Sequence, residues 1–324
     1  HNDRGASGHC STTQGFVAAV TLTVCAPAKI NLDLRVFGRR PDRFHEVRTL
    51  LQSIHLHDTL SFRRWSGPMI VRSRSKVVPN GQGNLVWTAA CSLWSADGRR
   101  GMPTDVVINI SKRIPVAAGL GGGSSDAASA LRGLCELWGI SPRGSLVRDV
   151  ASSVGSDVPF FLEGGLAMGC GRGESVQRIS ETKSFWVVLA YPPFGVSTVD
   201  AYRWFDESDQ RRWKLAPRSR SLPRGWRRRL EGLANDLEPA VVRRHPEIEL
   251  MVERLRGTDA LLASMTGSGS TVYGLFRGRS TAQAARHAIR RRGWRTVITR
   301  TVGHGEFIRM TKVATMMRRR DVNR

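Results

Sequence analysis

The segment Arg113-Ile-Pro-Val-Ala-Ala-Gly-Leu-Gly-Gly-Gly-Ser-Ser-Asp126 combines a glycine cluster with paired hydroxyls. Gly119, Gly121, Gly122 and Gly123 carry no Cβ, so backbone N–H groups in this turn can close on a ligand. Ser124 and Ser125 stand where a helix cap belongs, and their hydroxyls can bind oxygen atoms. The free N–H groups and the dipole at a helix start favour an anion, most often a phosphate. The chemistry implied is a phosphate cradle.

What is missing narrows the kind of cradle. A P-loop ends in Gly-Lys-Ser/Thr, whereas Gly123 is followed directly by Ser124. The dinucleotide fingerprint needs the spacing G-x-G-x-x-G and an acidic residue closing a nearby strand, and neither is present. A Gly/Ser run is ordinarily a linker. This one is flanked tightly by apolar periodic segments and preceded by Pro115, which is poor linker context.

Three further residue groups have chemical potential but an ordinary reading beside it. Lys29 lies in an apolar strand context, and alone it reads as a strand-end lysine reaching solvent. Asp157, before Val158-Pro159, reads alone as a turn or cap aspartate. Phe44-His45 offers a stacking face and a hydrogen-bonding imidazole suited to a pyrimidine. It is equally a core-edge phenylalanine beside a surface histidine.

The elements that position these residues follow from periodicity. Asp105 to Ile110 reads as a short β-run entering the glycine loop, and Ala127, Ala128, Leu131, Leu134, Cys135 and Trp138 recur at helical spacing after it. Val20 to Val24 and Asn31 to Val36 are short alternating runs, while Asn84 to Trp94 and Ser145 to Val154 are helical. Phe185 to Ala190 is strand-like and is followed by an arginine-laden stretch from Asp206 to Arg228 that reads as an exposed connection. Glu247 to Arg256 and Thr281 to Arg292 are helical, Leu261 to Phe276 carries a second glycine turn, and Arg295 to Val302 is a strand. The order is mixed α+β in two lobes with a boundary near Ile179 to Ser184.

Composition bounds the function. At 324 residues with 40% hydrophobic content, the chain can bury a core, and no apolar run approaches the length of a membrane span. Five scattered cysteines without a C-x-x-C pair fit a reducing, cytoplasmic setting and no metal set. His55 and His57 are the only close histidines and read as a surface pair. The net charge of +23 is almost all arginine, and it reads first as a solvated surface and only second as a nucleic-acid site.

Four segments, in this order, resemble the GHMP small-molecule kinases. Ala26-Pro-Ala-Lys-Ile-Asn-Leu32 resembles their opening motif, and Pro115 to Ala128 their phosphate-binding motif. Gly155-Ser-Asp-Val-Pro-Phe160 resembles their catalytic-aspartate motif, and Thr266-Gly-Ser-Gly-Ser-Thr271 their C-terminal glycine loop. Arg43-Phe44-His45-Glu46-Val47 and Asn235-Asp236-Leu237-Glu238 are similar to the branch whose acceptor is a cytidine-diphosphate-linked methylerythritol. The Phe44-His45 segment argues against a mevalonate or homoserine type.

The resemblance implies a two-lobed α+β fold. A ribosomal-protein-S5-domain-2-like lobe would span 21–180 and a ferredoxin-like lobe 181–311, with 1–20 a flexible extension and 312–324 a basic tail. It implies a small-molecule acceptor and ATP with Mg²⁺, the ion bridging phosphates through Ser125 and water. Lys29 and Asp157 would be catalytic. Pro115, Val116, Ala117, Ala118, Gly119, Leu120, Gly121, Gly122, Gly123, Ser124 and Ser125 would hold the phosphates, with Asn84 and Lys112 on the adenosine side. Asn31, Phe44, His45 and Asp157 would bind the acceptor, with Tyr202 or Trp204 as a second aromatic wall, and Gly267 and Ser268 would approach from the second lobe. Two departures stand out: the family more often has Gly-Tyr where this chain has Arg43-Phe44, and more glycine where it has Val116-Ala117-Ala118.

Overall fold

The computed structural model describes residues 21–75, 77–142, 144–180, 184–209, 230 and 232–316. Its first sheet is built on a long antiparallel pair, β1 (Thr21–Arg39) and β2 (His45–Pro68). β3 (Ile70–Ser73) and β4 (Thr104–Ser111) extend it in the order β11-β1-β2-β4-β3, and β5 (Leu166–Gly171) and β6 (Ser175–Arg178) continue from β2. β11 is the short strand Ala314–Met316. One face is covered by α1 (Leu85–Ala96), α2 (Gly122–Trp138) and α3 (Ser145–Val154), with the short α4 (Phe160–Glu163) beside them. A Cβ on Gly133 would lie 2.5 Å from the Phe62 ring, so glycine there lets α2 settle directly onto the sheet.

The second sheet contains β7 (Trp186–Tyr191), β8 (Leu262–Met265), β9 (Val272–Phe276) and β10 (Arg295–Arg300) in the order β10-β7-β9-β8, every neighbour antiparallel. The helices α5 (Thr198–Asp209), α6 (Glu238–Arg244) and α7 (Pro246–Arg256) lie between β7 and β8, and α8 (Arg279–Ala288) between β9 and β10. That strand order and helix placement make the ferredoxin-like lobe.

The other faces of the two sheets meet. Ala28, Ile30, Leu32, Leu50 and Ile54 pack with Val187, Leu189, Tyr273 and Leu275 in one apolar cluster. The middle of β1 is therefore buried on both sides, from Ala26 to Leu34. A strand covered on both faces loses the alternation that marks a half-exposed one. This is why the sequence shows two short runs where the structure has a single strand of 19 residues.

The end of the chain departs from expectation. After β10, α9 (His304–Thr311) returns to the first lobe and buries Phe307 in its core, and β11 pairs with β1. Residues 314–316 are thus a sheet edge rather than the start of a featureless basic tail. Three residues are too few to show a hydrophobic period, so only the long-range pairing reveals them. α5 runs through Asp209, taking the first residues of the stretch expected as a loop. The arginine-rich 211–229 segment, the 1–20 extension and 317–324 lie outside the described residues.

Candidate active site

A cavity of 1060 Å³ opens where the first sheet, the start of α2, α5 and the β8–β9 turn converge. Its floor starts at an irregularity in β1. The register with β2 shifts between Pro27 and Lys29, which leaves backbone groups outside the ladder. Lys29 N–H donates to Leu120 O (3.0 Å), and Pro27 O accepts from Ser125 Oγ (2.6 Å). The bulge thereby docks the glycine loop and the start of α2 onto β1.

α2 begins at Gly122, capped by Gly121 in the left-handed region at φ 69° with no side-chain cap. The leading N–H groups of an α-helix lack intrahelical partners, so Gly122, Gly123 and Ser124 present a donor-rich end to the cavity they line. Gly119 has φ 73°, and a Cβ there would lie 2.1 Å from Thr266 O. Only glycine can bring the loop this close to the β8–β9 turn.

Lys29 is buried, with Nζ 2.6 Å from Asn31 Oδ1 and 3.7 Å from Asp157 Oδ2. Burial pushes its ammonium below the ordinary lysine range, and the nearby Asp157 charge opposes that shift. Asn31 is fixed from several sides: Nδ2 donates to Thr49 Oγ1 (2.8 Å), N–H donates to Thr266 Oγ1 (3.0 Å), and its carbonyl accepts from Tyr273 OH (3.0 Å). Asp157 precedes the short α4, and its half-exposed carboxylate faces the cavity. The lysine is held rigidly beside a carboxylate that can still reach a ligand.

The second lobe closes over this pair. A Cβ on Gly267 would lie 3.1 Å from both Gly119 O and Lys29 Nζ. Asn235 holds that turn by donating through Nδ2 to Met265 O (2.9 Å) and Gly267 O (2.8 Å). Asp236 Oδ2 accepts from Val36 N–H (3.0 Å), and Glu238 Oε2 from Met265 N–H (2.7 Å). The Asn-Asp-Leu-Glu signature is thus a bracket between β1 and the glycine turn. Ser268 Oγ lies 3.1 Å from Thr198 Oγ1 at the start of α5.

At the opposite end, Phe44 is 51% exposed, and the Arg172 guanidinium covers its ring at 5.0 Å. His45 is buried, stacked on Tyr202 at 4.8 Å, with Nε2 2.8 Å from Asp206 Oδ1. Desolvation pushes the Tyr202 phenol up, with the Asp157 charge acting in the same direction. Arg43 sits in the left-handed region at φ 69°, so the turn keeps a glycine-like backbone despite carrying arginine.

The structure therefore gathers Lys29, Asn31, Phe44, His45, Asn84, Lys112, residues 115–124, Asp157, Tyr202, Gly267 and Ser268 around one cavity. Four of the expected residues have side chains engaged with the scaffold. Ser125 does not line the cavity; it is fully buried, its hydroxyl donates to Pro27 O, and its N–H donates to Gly121 O. Trp204 packs on His245 in the second lobe's own core. Residues two apart on a helix point roughly 200° apart, so only one of Tyr202 and Trp204 can face the cavity. Asn84 touches the cavity but caps α1, accepting from Val86 N–H and donating to Pro79 O, both at 2.9 Å. Lys112 Nζ is taken by Asp58 (2.5 Å) and Asp126 (2.7 Å).

Sequence reasoning missed Asp58, Asp126, Arg172, Asp206 and Thr266. Asp126 and Thr266 fall inside the cradle and glycine-loop motifs, yet their partners Lys112 and Asn31, like those of Asp58, Arg172 and Asp206, are set by tertiary packing.

The GHMP kinases N terminal domain matches residues 84–165, and the GHMP kinases C terminal domain residues 220–294. A 4-diphosphocytidyl-2-C-methyl-D-erythritol kinase of Pelotomaculum thermopropionicum is 41% identical over 287 residues, spanning 87% of this chain and 98% of that protein. The enzyme of the same name from Bacillus subtilis is 38% identical over 82% of this chain and 91% of its own length. The chain belongs to the 4-diphosphocytidyl-2-C-methyl-D-erythritol kinase family. As a GHMP kinase it is an ATP-dependent small-molecule kinase. A solved 4-(cytidine 5'-diphospho)-2C-methyl-D-erythritol kinase superposes with a TM-score of 0.71 at 33% identity, covering 87% of this kinase and 99% of that chain. Mevalonate kinase of Methanococcus jannaschii shares the fold, with a TM-score of 0.63 at 13% identity. No helix among the described residues is long and apolar enough to cross a membrane.

Proposed function

We propose that this kinase transfers the γ-phosphoryl group of ATP to the 2-hydroxyl of 4-diphosphocytidyl-2-C-methyl-D-erythritol, a step in non-mevalonate isoprenoid precursor synthesis. The observation that carries the reading is that one cavity joins the helix-end cradle, the Lys29–Asp157 pair and the Phe44, His45 and Tyr202 aromatic cluster. A nucleotide phosphate, a reacting hydroxyl and a pyrimidine each have a matching surface along it.

In the reaction the acceptor oxygen attacks the γ-phosphorus, the bond to the β,γ-bridging oxygen breaks, and ADP leaves. Asp157 takes the hydroxyl proton. An aspartate is a weak base for an alcohol, so the proton moves late, and positioning contributes more than basicity. Lys29 meets the negative charge spread over the transferring group with a compact ammonium. Asn31 and Gly267 hold Lys29 in line, while the 119–124 turn holds the phosphates with backbone N–H groups. Phe44 stacks the cytosine, and His45 and Tyr202 bound its edge.

Mg²⁺ is expected with ATP, yet among the described residues no group of three or more His, Cys, Asp or Glu side chains is placed to hold it. The carboxylates lining the cavity are engaged with basic side chains: Asp126 with Lys112, Asp157 with Lys29, Asp206 with His45 and Glu207 with Arg203. Ser125 is bonded to the backbone.

An ATP-consumption screen with the cytidine-diphosphate substrate against mevalonate, homoserine and galactose tests the reading. Turnover is expected with the first alone. Turnover of mevalonate or homoserine in its place would transfer the assignment to another GHMP kinase type.

A further inference from the structure

We propose that Arg172 grips the diphosphate of the acceptor, between its base and its reacting hydroxyl. This rests on the acceptor assigned under Proposed function. Such a substrate carries its two phosphates in the middle, so with cytosine at Phe44 and the hydroxyl at Asp157, the phosphates must lie in the span between these residues.

The turn joining β5 and β6 borders that span. Arg172 stands over the Phe44 ring at 5.0 Å, while the next residue, Gly173, backs onto the catalytic segment, its Cβ position 4.0 Å from Asp157 Oδ1. The turn is held in shape. Gly171 and Gly173 have φ 73° and 112°, Arg172 N–H donates to Glu174 Oε2 (2.6 Å), and Gly173 N–H donates to Cys170 O (3.0 Å).

The charge inventory of the cavity points the same way. Lys29 is held by Asn31 and Asp157, Lys112 by Asp58 and Asp126, and Arg203 by Asp200 at 2.8 Å. The Arg172 guanidinium has only Glu174 Oε1 at 3.8 Å from Nε, and it makes no hydrogen bond among the described residues. Its donors are therefore available to an incoming anion, and the planar fork suits phosphate oxygens. Arg39 and Arg43 also line the cavity, but both are exposed at its mouth. Arg172 is the inner of the three. The cradle for ATP works through backbone N–H groups, so the arginine charge sits on the acceptor side.

The test is calorimetric titration of the full chain with cytidine, CMP and CDP, in the wild type and in Arg172→Ala and Arg172→Lys. Wild-type protein is expected to bind CDP more tightly than cytidine. Arg172→Ala is expected to weaken CDP by roughly 10- to 100-fold, the range for one or two charge-assisted hydrogen bonds. Cytidine affinity stays within about threefold in that variant, since one uncharged contact face is all that changes. Arg172→Lys retains the charge without the fork and falls between. ATP binding and melting temperature, unchanged in both variants, establish that they are folded.

Equal weakening of cytidine and CDP in Arg172→Ala would reduce Arg172 to a packing partner of Phe44 and overturn the proposal. So would unchanged CDP binding. A folded wild-type protein that binds neither cytidine nor CDP would remove the acceptor assignment itself, and the proposal with it.

Discussion

At one end of the cavity, residues 115–124 offer the proposed phosphate-binding surface in a single continuous loop, made of backbone and fixed by glycines. At the other end, Phe44, His45, Arg172 and Tyr202 arrive from three separate places, the start of β2, the β5–β6 turn and α5, and meet through side chains. The first surface offers no side-chain discrimination, and a triphosphate common to many kinases needs none. The second is assembled from rings and charges, which is where a family of shared fold can vary its acceptor. Lys29 and Asp157 lie at the join, where the two reactants would meet.

The largest expected effect falls on that join. Asp157→Asn keeps the shape and removes the proton acceptor, so kcat should fall by about 10²- to 10⁴-fold while ATP binding persists. Lys29→Ala should lose comparable activity, and the double variant should be far from additive because the two act as a unit. Near-normal kcat in folded Asp157→Asn protein would remove Asp157 from the mechanism.

Substitution at the cradle end comes next. Gly119→Ala places a Cβ 2.1 Å from Thr266 O at a backbone φ of 73°, with no flexible side chain to give way. Strain of this kind costs about 1–3 kcal/mol or more, and the glycine turn of the second lobe must move. A lowered melting temperature and weakened ATP affinity are expected, with cytidine binding less affected. Unaltered ATP affinity in this variant would blur the contrast between the two ends.

Phe44→Ala is the reciprocal experiment. Loss of a base–aromatic stack costs about 1–3 kcal/mol, so KM for the cytidine substrate should rise roughly 5- to 150-fold where it tracks binding. KM for ATP should hardly move. If ATP were weakened instead, the two ends would be assigned the wrong way round.

The smallest effect is on pH dependence beneath the cradle. Burial raises the Asp126 carboxyl to about 7 despite Lys112, which opposes the shift. The folded protein thus holds this proton more tightly than the unfolded chain, whose carboxyl ionises near 3.8. The resulting stability is fully present below the unfolded value and is lost as pH rises through about 7. Asp126→Asn should flatten the melting temperature of the chain across that window relative to wild type. An identical pH profile in the variant would contradict the coupling.

Residues differ in how far their sequence context revealed them. The glycine loop was legible in its geometry because turn and helix start are consecutive, and glycine spacing alone states the backbone requirement. Lys29 and Asp157 each had an ordinary local reading, and only the ordered resemblance to a kinase family gave them a role. Ser124 and Ser125 were legible as hydroxyls near a helix start, but not in their division of labour. Ser125 turns inward because the β1 bulge leaves Pro27 O seeking a donor.

By itself, then, the amino-acid sequence determined the α+β class, the strand–glycine loop–helix unit and the order of motifs that marks a GHMP kinase. The first two rest on periodicity and backbone freedom, which are properties of neighbours along the chain, and the third on resemblance to a known family. Tertiary structure alone decided that Tyr202 rather than Trp204 faces the cavity, that Asn84 and Lys112 spend their polar atoms on the scaffold, and that Asn235 pins the Gly267 turn. It also decided that the chain returns through α9 and β11 to the first sheet, where β11 pairs with β1. Each depends on hydrogen bonds and packing between residues far apart in sequence, and such pairings leave no periodic trace in either partner.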